Sequence, residues 1–342
     1  MSGQVDQPKK IPLVETDDEL FQSQFETRNK SNTVNGEFEY AHIAPKNPEG
    51  DPLIFHPGWL ANVKACEQLA KEAYSLNQDA YFLDLVGHNP PGIKNDVSYD
   101  KYTLRNAQAM AQIALDQNLK HVNLVGHSEG ASVSLVAAEL LLKKGIDVKN
   151  VVLINPTGFG LSREKGLQTK IELIKRGVKM AWEEFLRGKS NKNPMVNNKV
   201  ELDVKHMARH PINTAREGLA MANLDMAKLQ EEIISRGVNV SIIQAEDDPF
   251  VRIEDLNTEV QLTEQRNRQA QITKELNKTK NLSTEERNTK LEEKVAGLQK
   301  LEENRTITSA IGKPGHLFRG HSHKTFIGPA ISRIRYISSK AG

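Results

Sequence analysis

Two kinds of hydrophobic spacing alternate along the chain. Short apolar runs bounded by turn residues, at 53–55, 80–85, 122–125, 151–154, 238–243 and 305–311, read as strands. Between them, segments 62–75, 103–118 and 131–144 read as helices, and a last one opens at Pro329 and runs over 329–338. Ahead of these, residues 21–27 and 36–44 are expected to form two strands, with the polar Asn29-Lys30-Ser31-Asn32 as the turn between them. From residue 161 the pattern becomes helical. Leu167, Ile171, Ile174, Val178, Trp182 and Phe185 form one stripe, a polar break follows at 189–198, and Leu219, Ala222, Met226, Leu229 and Ile233 form another within 202–236. Residues 252–305 hold eleven acidic and eleven basic side chains and few apolar ones. Ser283-Thr284-Glu285-Glu286 matches a capping box there, with Leu291, Val295, Leu298 and Leu301 as the stripe that follows, so a solvated helical excursion with a flexible middle is expected. The first twenty residues are polar and charged and read as a poorly ordered lead-in.

The run at 122–125 leads straight into Gly126-His127-Ser128-Glu129-Gly130, a G-x-S-x-G sequence followed by a helix of small residues. A serine on so tight a strand-to-helix turn occupies strained backbone, and its neighbours two positions away crowd the strand and the helix, so both must be glycine. The turn lifts the Ser128 hydroxyl clear of the strand. The N–H of Glu129, at the start of the helix, is placed to stabilise an oxyanion.

This stretch resembles the nucleophile elbow of the α/β-hydrolase family. The resemblance implies an α/β-hydrolase fold, with a central, mostly parallel sheet flanked by helices and an inserted helical cap, and a triad in the chain order serine, acid, histidine. It assigns the core to 21–160 and 236–342 and the cap to 161–235. It also implies a second oxyanion donor in the loop after the third strand, His56-Pro57-Gly58-Trp59 here. Pro57 has no N–H, so Trp59 is the candidate and Leu60 the fallback. His56 and His127 are candidate substrate contacts. Asp84-Leu85-Val86-Gly87-His88 resembles the family's Asp-x-x-Gly-His turn, in which the aspartate is structural. Some relatives carry the acid where this chain has Asn155; here the acid loop is matched by Gln244-Ala245-Glu246-Asp247-Asp248-Pro249, which points to Asp248. Two late Gly-His pairs compete for the base. His321 is preferred for its spacing to Pro329, His316 lies closer to the last strand, and His323 comes last.

The chemistry so implied is acyl transfer through Ser128, with an ester or thioester as substrate and no metal or cofactor. Glu129 beside the nucleophile leaves open an aminopeptidase or amidase that binds a substrate amine. A catalytically weak binding protein on the same scaffold is the remaining alternative. His206 and His210 lie four apart, but Met207 stands where a zinc-binding H-E-x-x-H helix needs glutamate. Gly158-Phe159-Gly160 lacks the rest of a phosphate loop. Of 342 residues, 46 are basic and 44 acidic, a net charge of +2, which offers nucleic acid no basic surface. Cys66 is the sole cysteine, so no disulfide scaffold exists. The N-terminus lacks an apolar h-region, and no apolar run reaches membrane-spanning length, so a soluble, cytoplasmic protein acting on a small acyl substrate is expected. Oligomeric state is not legible in the sequence.

Overall fold

The structure is a computed structural model that describes residues 18–58, 63–84, 100–157, 175, 226–245, 253–279, 282–302, 305–310, 330–332 and 334–335. In chain order the elements are α1 (Asp18–Glu26), β1 (Asn29–Thr33), β2 (Gly36–Ile43), β3 (Leu53–His56), a 3₁₀ turn (Val63–Cys66) running into α2 (Glu67–Ser75), β4 (Ala80–Leu83), α3 (Asp100–Asp116), β5 (His121–His127), α4 (Gly130–Lys143), β6 (Asp147–Ile154), α5 (Met226–Ile234), β7 (Asn239–Ala245), α6 (Ile253–Lys278), α7 (Thr284–Glu302) and β8 (Arg305–Ala310). The strands form one eight-stranded sheet in the order β1-β2-β4-β3-β5-β6-β7-β8. Among the described residues, β1–β2 and β2–β4 pair antiparallel and the other pairs are parallel. The expected α/β class and mostly parallel sheet are thus what the chain adopts.

Alternating side chains divide the core between the two sheet faces, as a pleated strand requires. Ile54, Leu124, Val151, Leu153, Val240 and Ile242 face α3, α4 and α5. Leu53, Phe55, Val125, Val152, Ile154 and Ile243 face α1, α2 and the C-terminal residues Ala330, Ile331 and Ile334. Cys66 lies in this second cluster as a small buried hydrophobe. Burying each large aliphatic side chain contributes about 1.5–3 kcal/mol, so the central parallel strands hold the site's frame rigidly.

Two expectations are corrected. Residues 18–26 are helical, and the strand lies in the polar segment read as a turn. Phe21 and Phe25 are stacked 5.6 Å apart on one helical face and buried, and the Gln24 amide bonds both the N–H and the C=O of Ala44 at 2.9 Å. The hairpin turns instead at Val34-Asn35, where Gly36 takes φ +115°, and cross-strand pairing of Lys30 with Glu37 and Glu39 stabilises the polar strand. Second, α5 was expected in the cap, yet Met226, Ala227, Ile233 and Ile234 belong to the main core, so 226–234 extends the α/β domain. The rest of 161–235, apart from Lys175, lies outside the described residues, as do 1–17. The charged excursion is helical as expected: its described residues form two packed helices, α6 and α7. The capping box forms: the Ser283 N–H donates to Glu286 Oε2 at 3.1 Å and the Glu286 N–H to Ser283 Oγ at 3.3 Å. Hydrogen bonds from Ser283 hold the Glu286 carboxyl below the usual carboxylate range.

Candidate active site

β5 is paired on both sides, with β3 and β6, and delivers Ser128 at the carboxyl edge of the sheet. Ser128 has φ +54°, a left-handed conformation that costs a non-glycine residue strain and signals that the surroundings enforce it. The enforcing contacts are specific. The Ser128 N–H donates to Ile154 O at 2.9 Å, and its carbonyl accepts from Ala131 N–H at 3.2 Å and Thr157 N–H at 3.3 Å. A Cβ on Gly126 would fall 2.0 Å from Gly130 O and 2.5 Å from Ser134 Oγ; one on Gly130 would fall 2.5 Å from His56 O and 2.6 Å from Pro57 O. Both glycines of the G-x-S-x-G sequence therefore answer to hard sterics. Small residues continue into α4, where the Ser132 hydroxyl bonds back to Glu129 O at 2.7 Å.

The loop after β3 lies against this turn. A Cβ on Gly58 would meet His127 Nδ1 at 2.9 Å and Ser128 Cβ at 3.1 Å, so Gly58 lets the backbone approach the serine directly. His56 holds the loop from below. Its ring is fully buried and lies 2.6 Å from Pro57 O through Nδ1. Burial lowers its pKa to about 4, outweighing the hydrogen bond to Pro57 O, so the ring is neutral at pH 7. With no exposed surface it cannot meet a substrate as expected of it. It is a strut for the loop. His127 is likewise 2% exposed and packs beneath Gly58. Asp84 accepts from the Val63 N–H at 3.3 Å, which anchors the 3₁₀ turn and fits the structural role read for it.

Glu129 is 1% exposed and starts α4 with φ −61° and ψ −34°. Two residues to which sequence reasoning gave no role lie beside the elbow. Asn155, at the end of β6, has φ +43°, is fully buried, and bonds to β7; Thr157 reaches Ser128 through its N–H. The only signal for them was a strand ending in Asn-Pro. Trp59, Leu60, His88, His206, His210, Asp248, His316, His321 and His323 lie outside the described residues. Among the described residues, no three His, Cys, Asp or Glu side chains gather as a metal site, and no helix is long and apolar enough to cross a membrane.

This strand order, with a left-handed serine between β5 and α4, defines a hydrolase scaffold, and the family model of the alpha/beta hydrolase fold matches residues 51–271. The chain belongs to that family. Solved structures it resembles include a bromoperoxidase from Bacillus anthracis (TM-score 0.58, 15% identity, covering 90% of this chain and 100% of the other). They also include an esterase from Rhodococcus sp. ECU1013 (0.53, 14%, 91% and 99%) and N-formylmaleamic acid deformylase from Pseudomonas putida S16 (0.55, 13%, 89% and 100%). At such identities the likeness is one of fold. No curated protein matches the sequence.

Proposed function

We propose that the protein is a serine hydrolase that cleaves an ester or thioester through an acyl-enzyme. The carrying observation is the left-handed Ser128, held between two glycines that tolerate no side chain and presented at the end of a fully paired strand. In this reading the Ser128 hydroxyl attacks the substrate carbonyl while His321, or His316, takes its proton, and Asp248 orients the imidazole and stabilises its charged form. The N–H groups of Glu129 and Trp59 hold the tetrahedral oxyanion; the tight approach of Gly58 to Ser128 supports that role for the residue that follows it. Water then releases the acyl group. An ester is favoured over an amino-terminal amide because the Glu129 carboxylate is buried, whereas an amine site needs a carboxylate that the substrate can reach.

A fluorophosphonate should label Ser128, and Ser128→Ala should abolish both the adduct and turnover of an ester panel, by about 10⁶-fold in rate. Folded protein that takes no label would overturn the reading.

A further inference from the structure

We propose that Asn155 is a positioning residue that fixes where the acid-bearing segment leaves the sheet relative to the nucleophile. The inference rests on the triad reading above, with Asp248 as the acid. Within the segment 154–157, Ile154 and Thr157 bond to one half of the site and Asn155, between them, to the other. Ile154 O accepts from the Ser128 N–H at 2.9 Å and the Thr157 N–H donates to Ser128 O at 3.3 Å, which binds this segment to the elbow. Between them, the Asn155 N–H donates to Ile243 O at 2.9 Å, and its side-chain Oδ1 accepts from the Ala245 N–H at 2.8 Å, which binds it to the end of β7. Ala245 is the last residue of β7, and Glu246, Asp247 and Asp248 follow directly.

The choice of asparagine has a physical reason at both of its ends. At φ +43° the backbone is left-handed, where asparagine and aspartate are tolerated and alanine is strained. At 0% exposure the side chain is the partner of a strand-end N–H that water does not replace. Asp248 lies three residues beyond that N–H, so even a fully extended segment keeps it within about 10 Å of the anchored residue. A displacement of Ala245 moves the point at which the chain leaves the sheet towards the acid, and misplacements of about 1 Å in a catalytic array cost roughly 100-fold.

The test separates this side-chain bond from the backbone. Asn155→Gly keeps the left-handed conformation and removes the side chain that holds Ala245; kcat should fall at least about tenfold with KM within about twofold. Asn155→Asp keeps the acceptor oxygen and should retain kcat within about threefold of the parent. Ala245→Pro removes the donor from the other side, and the double variant with Asn155→Gly should be no slower than the slower single variant, because both act through one bond. The proposal is overturned if Asn155→Gly keeps its kcat, if its loss lies wholly in KM, if Asn155→Asp is as slow as Asn155→Gly, or if the two losses multiply. Should Asn155→Gly fail to fold, Ala245→Pro is judged alone by the same kcat and KM criteria. Asp248→Asn distinguishes the two readings: a folded variant with full turnover sinks the triad assignment itself, whereas an inactive one beside a fully active Asn155→Gly sinks only the role of Asn155.

Discussion

At Gly126 a methyl group would sit 2.0 Å from a backbone carbonyl oxygen; at Gly297, on α7, it would meet nothing within 4 Å. The two glycines belong to regions built on opposite terms. Around the elbow, β5 and α4 are buried almost throughout, and each residue's identity answers to a neighbour distant in sequence: Gly126 to Ser134, Gly130 to His56 and Pro57, Gly58 to His127 and Ser128. In the α6–α7 pair the described side chains are exposed or half-buried, save Thr279 and Leu298, and what holds α7 in place locally is a capping box and mixed charge. The first region tolerates no change because its constraints are tertiary. The second is free to vary because its constraints are those of any solvated helix.

The sharpest way to break this contrast is Gly126→Ala. A buried clash with the Gly130 backbone and the Ser134 side chain of α4 should destabilise the protein by about 3 kcal/mol or more and erase Ser128 labelling; chemical denaturation that finds it within about 0.5 kcal/mol of the parent would show the elbow to be soft.

A comparable effect is expected from pH. His56 has a folded pKa near 4 against 6.5 in the unfolded chain, so the fold favours its neutral form. That contribution is intact above pH 6.5 and is lost as the pH falls from 6.5 towards 4, because the unfolded chain takes up a proton that the folded one refuses. The loss amounts to roughly 3 kcal/mol. His56→Asn should therefore be less stable at pH 7 yet lose less stability across that window, as read from denaturation midpoints at stepped pH. An unchanged slope would mean that water reaches the ring.

The smallest effect should come from the α6–α7 pair. Gly297→Ala fills open space in a helix and should stabilise the protein by about 0.4–1 kcal/mol without touching turnover. Destabilisation there would show that α7 is packed against something that its polarity conceals.

Much of this was legible in the chain. The apolar runs at 53–55, 122–125, 151–154 and 238–243 all lie within or overlap observed strands, because buried parallel strands have to be apolar on both faces. The elbow was legible because its sterics are written in glycine, and the capping box because it is local. Phe21 and Phe25 were misread for a definite reason: a separation of four residues fits one face of a strand as well as one face of a helix, and only packing on β2 and against Tyr74 chose between them. The stripe through Met226, Leu229 and Ile233 likewise announces a buried face without naming the surface that buries it.

What the sequence by itself determined is therefore the set of elements whose patterns are local: strands apolar on both faces, the glycine-flanked serine, the cap of α7. The tertiary structure alone decided that His56 is a buried strut and not a substrate contact, that α5 belongs to the core, and that Asn155 joins the end of β7 to the nucleophile turn. A residue type states which bonds it is able to make, but burial and the partner across the sheet determine which of them it makes.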